Sequence, residues 1–278
     1  STPCGTLFPY TTLFRSTTLS SDSIVYFNEE NRISAYLNPV LTKVDSGSTR
    51  KTKIYGSQIK GTEKQGKFTV LKNVRIFRDQ IEAYADHADY NDSTDVITLT
   101  GNPKIINDNR DIYGDKITAY LQNNQIERIN IDGSAIASSV SNYYLPVPDS
   151  LRSPADTSDM LMRGQKIETK DEMTGKQMDI YFKNGETDSI RVSGMATSYY
   201  NVGQDSIIKG VNHASGDTII MHFAHPDTHK TELRQIDVVG GTEGRFSPHE
   251  SNAEMDTSVI YSAGEIRYFV DDRETWLL

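Results

Sequence analysis

The sequence predicts an all-β fold built from repeated antiparallel hairpins. Apolar and polar residues alternate with a period of two along much of the chain, which is typical of half-buried strands. In GDKITAYLQNN, for example, Ile117, Ala119 and Leu121 share one face of an extended chain and their neighbours share the other. The segments between such runs are rich in Asn, Asp and Gly, which tolerate the positive φ of hairpin turns.

An internal repeat organises these strands. The segments GDKITAYLQNNQIERINIDGSA, GKQMDIYFKNGETDSIRVSGMA and GDTIIMHFAHPDTHKTELRQIDVVGG each contain a Gly, a strand, a polar turn and a second strand ending in I-x-[IV]-x-G. The two framing glycines are 19 residues apart in the first two copies and 24 apart in the third. A single hairpin cannot bury its apolar face, so the copies are expected to pack on one another. Strands are expected to turn or bulge at Gly101, Gly133, Gly194 and Gly240.

One further irregularity is visible upstream of the repeat. In FTVLKNVRIFRD, the alternation carries Phe68 and Val70 on one face, shifts by one residue at LKN, and resumes with Val74 and Ile76. A strand with a local interruption is therefore expected there.

Composition excludes several classes of protein. The net charge of -9 and the pI of about 5.2 argue against nucleic-acid binding, which requires clustered Lys and Arg. With 36% hydrophobic residues and a mean hydropathy of -0.54, no apolar run reaches the 18 or so residues of a membrane-spanning helix. The densest basic stretch, STRKTKIYGSQIKGTEKQGK, is expected to form a solvated loop and an edge strand, where lysines discourage unwanted pairing.

The N-terminal segment is expected to lie outside the fold. Residues 6–16, TLFPYTTLFRS, resemble the translation of an adapter oligonucleotide used in short-read DNA sequencing, so residues 1–16 are interpreted as a non-native, adapter-derived segment. Cys4, the single cysteine, lies within it, which excludes disulfides and cysteine-based zinc sites from the remaining chain. A signal peptide would have been lost from such a fragment.

The rest of the chain is expected to comprise two parts of one β-roll. The first covers residues 17–142, a Pro-rich loop insertion covers 143–159, and the second part covers 160–278. A fourth repeat begins at SAGEIRYFVDDRETWLL and is truncated at Leu278. Unpaired edge strands are expected near residues 24–27 and 265–270, and such edges can recruit another β-chain.

The sequence contains residues that could form a histidine metal site or a catalytic carboxylate pair, but it predicts neither site. The spacing of His222, His225 and His229 is compatible with a metal site, but these residues divide between a strand and a long turn, whereas zinc needs rigidly held ligands. A glycosidase-like carboxylate pair could be drawn from Asp115 and Asp217, or from Glu82, Asp86 and Asp89, which are close in sequence. The recurrence of Asp115 and Asp217 at one repeat position is better explained by a structural carboxylate at a turn. We expect no catalytic residue, cofactor or metal.

A longer phrase, FTVLKNVRIFRDQIEAYADHADYNDSTDVITLTGNPKIINDNRDIYGDKI, resembles the OstA-like family of lipopolysaccharide-transport proteins. Its pattern is A-x-A-D-x-A-x-Y, then I-x-L-x-G-N-P-x-I, then G-D-x-I. The matching residues are Ala83, Ala85, Asp86, Ala88, Tyr90, Ile97, Leu99, Gly101, Asn102, Pro103, Ile105, Gly114, Asp115 and Ile117.

The resemblance implies a rolled, incompletely closed antiparallel β-jelly roll, or twisted taco, whose apolar lining holds lipid acyl chains. It further implies a non-enzymatic, periplasmic conduit for lipopolysaccharide. Its partners would be other β-jelly-roll transport proteins, joined by edge-strand pairing, and the outer-membrane translocon. The alternatives are a polysaccharide-binding β-solenoid or adhesin and a β-helix carbohydrate-active enzyme. The predicted lipid-binding groove comprises Ile97, Leu99, Ile117, Ala119, Ile129, Ile131, Ile190, Val192, Ile236 and Val238.

Overall fold

The computed structural model describes most of the chain. The described residues are 10–14, 17–45, 50–62, 65–107, 109–123, 125–146, 163–204, 206–227, 230–250, 257–269 and 274–278. They form twenty strands and one 3-10 turn, Asn28–Glu30, which confirms the predicted all-β class. No helix in this part of the chain has the length and apolar character needed to cross a bilayer. The backbone divides into two compact units, residues 1–135 with 179–188 and residues 136–178 with 189–278.

The first unit contains strands β1 to β13 and the start of β14. Their bounds are β1 Tyr10–Phe14, β2 Thr17–Ser21, β3 Ser23–Phe27, β4 Arg32–Tyr36, β5 Val40–Val44, β6 Lys51–Tyr55, β7 Gln58–Thr62, β8 Lys67–Arg78, β9 Ile81–Asn91, β10 Val96–Thr100, β11 Lys104–Asn107, β12 Arg110–Tyr113, β13 Lys116–Gln122 and β14 Gln125–Pro146.

These strands form two antiparallel layers that share β8 and β9. The first layer runs β1-β2-β5-β6, continues through the second half of β8 and the first half of β9, and reaches β11-β12. The other layer runs β3-β4-β7, continues through the opposite halves of β8 and β9, and reaches β10-β13-β14. Among the described strands, β1 pairs only with β2 and β3 only with β4, so the roll is incompletely closed there, as predicted.

The one-residue shift of the alternation predicted at LKN, residues 71–73, corresponds to a bend in β8 that joins the two layers. Pairing of β8 with β9 slips between Leu71 and Val74, so that two residues of β8 face one of β9. The two residues of β8 in this bulge, Lys72 and Asn73, have positive φ, at 59° and 53°. A bulge of this kind increases twist and bends a strand, which lets β8 pass from one layer to the other.

The second unit contains the end of β14 and most of the long strands that follow, except that residues 179–188, at the turn between β15 and β16, belong to the first unit. Their bounds are β15 Arg163–Lys183, β16 Glu186–Gln204, β17 Ile207–Asp227, β18 Lys230–Pro248, β19 Val259–Phe269 and β20 Glu274–Leu277. Strands β16 to β20 pair antiparallel in sequence order. The N-terminal part of the predicted Pro-rich insertion, residues 143–146, belongs to β14, and most of the remainder lies outside the described residues.

The repeat glycines lie inside strands and do not separate short hairpins. Gly133, Gly194 and Gly240 have φ of +73°, +77° and +82° within β14, β16 and β18, and Gly101 has +74° between β10 and β11. The predicted turn or bulge at each position is confirmed. Because pairing resumes beyond each bulge, a segment that reads as strand, Gly and strand forms one bent strand of 19 to 22 residues.

Two expectations about sheet edges are wrong. Strand β6, in the basic stretch, pairs with both β5 and β8, and β7 pairs with both β4 and β8. The lysines there occupy the outward face of interior strands, since Lys51 and Lys53 are exposed while Thr52 and Ile54 are buried. Strand β19 is also covered, because β20 pairs along Ile266 to Phe269.

The segment set aside at the N-terminus contributes a strand. Tyr10–Phe14 form β1 and pair with β2 over five residues. Backbone hydrogen bonding to a sheet edge depends little on the identity of the added strand. The pairing of β1 with β2 therefore does not test whether residues 1–16 derive from an adapter, and that origin stays a prediction.

Candidate functional site

The groove residues predicted in the first unit form two cross-strand rows. In the first row Leu99 pairs with Ile117, which pairs with Ile131. The second row is Ile97, Ala119 and Ile129. All except the half-buried Ala119 are at most 8% exposed. Matching alternation on β10, β13 and β14 thus places these six side chains on the inner face of one layer.

The four residues predicted in the second unit align in the same manner. Val192 and Val238 flank Ile219 in one row, and Ile190 and Ile236 flank Met221 in the next. Val192 and Ile219 are fully buried, while Ile190 is half-buried. The structure therefore assembles the ten predicted residues into four apolar rows, two in each unit.

The facing layer of the first unit supplies an apolar wall that the groove prediction did not include. Leu41, Ile54, Ile76, Ala83 and Ile105 form one continuous row across β5, β6, β8, β9 and β11. A narrow cavity of about 50 Å³, open to solvent, lies between the layers. Five of the six predicted residues line it from one side, and Ile76, Ala83 and Ile105 line it from the other. The two walls of this cavity are therefore mainly apolar.

A row of polar side chains borders this apolar wall. Lys43 pairs with Thr52, and Thr52 pairs with Arg78, across β5, β6 and β8. All three side chains are buried on the inner face. Arg78 and Thr52 line the cavity between the layers, and Lys43 and Thr52 line a smaller adjoining pocket. We call Lys43, Thr52 and Arg78 the polar row.

Each cation of the polar row is held by a carboxylate. Arg78 donates from Nη2 to Asp45 over 2.9 Å, and from Nη1 to the Thr52 hydroxyl over 2.6 Å. The side chains of Arg78 and Asp45 are only 7% and 1% exposed. Lys43 forms an ion pair with Asp95. Buried charges are tolerated only when paired in this way, so each carboxylate compensates the desolvation of its cation.

Tyr90 connects Asp95 to a second carboxylate. Its hydroxyl donates to Asp92 over 2.8 Å and lies 3.4 Å from Asp95, and its ring lies 5.8 Å from the Lys43 ammonium. Burial, followed by the nearby Asp92 charge, raises the pKa of Tyr90 above its ordinary value. The hydroxyl consequently stays protonated and remains a donor at any physiological pH.

The second unit has a pocket with a more polar lining. It has a volume of about 20 Å³ and is bordered by Val238 and Ile266 as well as Tyr200, Tyr261 and Tyr268. Tyr261 donates to the Asn212 side chain over 2.6 Å. Burial raises the pKa of both Tyr200 and Tyr261. Tyr199, which precedes Tyr200 in the sequence, is 47% exposed.

The two described histidines of the candidate metal site, His222 and His225, have different surroundings. His222 lies 3.0 Å from Asp237, His225 has both ring nitrogens buried without a hydrogen-bond partner, and His229 lies outside the described residues. Among the residues that the structure describes, no group of three or more His, Cys, Asp or Glu side chains could hold a metal ion.

The acidic residues considered for catalysis have separate local partners. Glu82 accepts a hydrogen bond from Tyr84, and Asp89 accepts one from Thr69. Asp115 lies against Gly133 in the first unit, and Asp217 lies against Gly240 in the second. Because the two repeat carboxylates occupy the same position beside a bulge glycine, their role is to shape the strand at that point.

The polar row could have been found only in part from the sequence. Alternation in VLTKV and KTKIY places Lys43 on the face of Leu41 and Thr52 on the face of Ile54. Arg78 likewise keeps the parity of Val74 and Ile76. The signal in the sequence was a charged residue at an inward-facing position of a strand. Its partners Asp45 and Asp95 can be identified only once the pairing of the strands is known.

Comparisons with known proteins gave one family match and a structural match. Residues 15–142 match the family described as LptA/(LptD N-terminal domain) LPS transport protein. LptH from Pseudomonas aeruginosa, described as the LptA-homologous periplasmic component of the lipopolysaccharide transport device, is 15% identical with a TM-score of 0.36. The match covers 55% of this chain and 93% of LptH. No curated protein matches the chain. Residues 15–142 therefore form a domain of the OstA-like family of lipopolysaccharide-transport proteins, the family of LptA and the LptD N-terminal domain.

Proposed function

We propose that the chain is a non-enzymatic conduit that carries lipopolysaccharide across the periplasm towards the outer membrane, with acyl chains held in its apolar interior. Family membership of residues 15–142 supports transport of this lipid class. The observation that supports the conduit is the pair of facing apolar walls around the cavity between the layers, with Ile117 and Ile129 on one side and Ile76 on the other.

The energetics suit transfer better than storage. Burying one acyl methylene contributes about 0.8 kcal/mol, so partial sequestration of one chain gives several kcal/mol before ordering costs. Rows of Ile, Leu and Val provide no directional hydrogen bond that would hold one lipid in one pose. Weak, unspecific binding of this kind permits release to the next protein in the path.

Site-specific photo-crosslinking tests the conduit. A photoreactive amino acid at Ile117 or Ile129, which face the cavity, should capture lipopolysaccharide in cells. The matched probe at Lys116, which is exposed on the adjacent outward position, should not. Equal capture at both faces, or none from the inner positions, would refute the proposal and favour a polysaccharide-binding solenoid.

Edge-strand pairing with other β-jelly-roll proteins, including the outer-membrane translocon, belongs to the same proposal. Strand β3 lies at one edge, and β20 covers β19 at the other end of the strand order. Leu278 and Glu265 exchange both backbone hydrogen bonds, so the alternation of an antiparallel pair directs the Leu277 N–H away from β19.

The Leu277→Pro variant tests this edge directly. It removes an outward donor while leaving the bonds between β19 and β20 in place. Sedimentation velocity at increasing concentration should show oligomers for the unmodified chain and fewer for the variant. A chain that stays monomeric throughout, or a variant that associates equally well, would argue against edge pairing.

A further inference from the structure

We propose that the polar row, Lys43, Thr52 and Arg78, binds the anionic group of the lipid, with Asp45 and Asp95 occupying the cations when no ligand is present. This inference rests on the proposed function and deepens it, because it assigns a head-group site to an interior otherwise described by its apolar walls. The ligand class it names is an acyl lipid carrying a phosphate or similar anion.

The position of the polar row suits a ligand that is apolar at one end and anionic at the other. The row lies next to the apolar row of Leu41, Ile54 and Ile76, one pleat along the same strands. Arg78 is the last residue of β8, directly before the turn to β9. An acyl chain lying against the apolar rows would therefore place its head group beside the polar row, at the turn end of the layer.

The chemistry of the row matches a phosphate. Arg78 already uses two guanidinium nitrogens on the two Asp45 oxygens, over 2.9 Å and 3.4 Å, which is the geometry that a bidentate phosphate contact requires. Lys43 adds a second cation, and its adjoining pocket shares Thr52, Ile97 and Leu121 with the cavity between the layers. Two cations facing one interior can satisfy the two negative charges of a phosphate monoester.

The carboxylates explain how the cations remain buried without a ligand. An unpaired Arg or Lys in this interior would be strongly unfavourable, and Asp45 and Asp95 remove that penalty. Replacing a buried ion pair with apolar residues often leaves stability unchanged or improves it, so the pairs are poorly explained by stability alone. A ligand anion that displaces one carboxylate replaces its charge-assisted hydrogen bonds to the cation, at the cost of leaving that carboxylate without its partner.

Matched single-chain probes test the inference on the full chain. Dodecyl phosphate and dodecanol share an alkyl chain and differ in the anionic group, and inorganic phosphate supplies the anion alone. Displacement of a fluorescent apolar probe, with all amphiphiles below their micellar concentration, gives relative affinities. The intact chain should bind dodecyl phosphate about tenfold more tightly than dodecanol, as expected for a charge-assisted hydrogen bond, and bind inorganic phosphate weakly.

Variants assign the preference to the polar row. Arg78→Met combined with Asp45→Leu removes the ion pair without leaving an unpaired charge, and should abolish the preference while retaining dodecanol binding. Asp45→Asn should increase the preference, because it removes the competing carboxylate, whereas a purely structural ion pair would give no gain. Arg75→Met, on the same strand with an exposed side chain, is the control and should keep the tenfold preference.

The outcomes separate the two proposals. Dodecanol binding without a preference for dodecyl phosphate would overturn the head-group site and leave the apolar conduit standing. Absence of binding by both amphiphiles would overturn the conduit itself. A preference that survives in the double variant would place the anion elsewhere and overturn this assignment, as would inorganic phosphate that binds as tightly as dodecyl phosphate.

Discussion

The carboxylate of Asp115 lies against Gly133, in the space that a β-carbon on that glycine would occupy. The backbone N–H of Asp115 also donates to the Gly133 carbonyl over 2.9 Å. The side chains of Asp217 and Lys176 likewise lie where β-carbons on Gly240 and Gly194 would be. The first Gly of each repeat is equally close to an inward branched side chain, as Gly114 is to Ile131. The two halves of the repeat are therefore cross-strand partners at one bulge.

The first prediction follows from this contact. Gly133→Ala should lower the free energy of unfolding of the first unit by about 2–4 kcal/mol, because a β-carbon is both strained at positive φ and displaced by Asp115. Gly185→Ala is the control: its φ is +87° but no atom lies within 4 Å, so it should lose only the strain, about 1 kcal/mol. Urea denaturation followed by circular dichroism measures both. Equal losses would show that the Asp115 contact contributes nothing.

The second prediction concerns the ion pair of Arg78 and Asp45. Arg78→Met alone should destabilise the first unit by about 3–5 kcal/mol, because it leaves the buried Asp45 carboxylate without its cation. The double variant Arg78→Met with Asp45→Leu should lose far less, since neither charge remains. A double-mutant cycle from denaturation midpoints gives the coupling energy. Additive losses in the cycle would show that the two side chains do not interact in solution.

The third prediction is a loss of stability at high pH in the second unit. Burial raises the pKa of Tyr200 above the ordinary value of 10.0, so the unfolded chain releases this proton at lower pH than the folded chain. The contribution is fully present below pH 10 and is lost as pH rises towards the folded-state pKa, at up to about 1.4 kcal/mol per pH unit. Tyr200→Phe should reduce this slope between pH 10 and 11.5.

Tyr199→Phe is the neighbouring control, because its ring is 47% exposed. Near-ultraviolet circular dichroism during urea unfolding reports the stability at each pH. A slope that is identical in Tyr200→Phe and the unmodified chain would exclude Tyr200 as its source.

The fourth prediction concerns the N-terminal strand. Deleting residues 1–16 should leave the melting temperature within about 2 °C, because β1 is a five-residue edge strand paired only with β2 among the described strands. Calorimetry on the full and shortened chains tests this. A fall of several degrees would mean that β1 is an integral part of the roll.

Much of the inner surface was readable from single strands. A period of two assigns each residue to one face, so the inward placement of Ile117, Ile131, Val192 and Val238 follows from local alternation alone. The bulge glycines were readable for a similar reason, since the sterics that restrict positive φ act within one residue. The all-β class and the repeat required no knowledge of which strands pair.

Pairing itself was decided only by the tertiary structure. Lys43, Thr52 and Arg78 span 35 residues of sequence, and they meet because β6 lies between β5 and β8. For the same reason the basic stretch, which was predicted to contain an edge strand, forms two interior strands, β6 and β7. Strand β19 was expected to be unpaired, and β20 pairs with it. Alternation fixes the direction of a side chain relative to its own strand, whereas the partner across the sheet depends on packing of the whole unit. Alternation along single strands thus determined one apolar wall, and the folded chain determined the wall that faces it and the buried charges beside it.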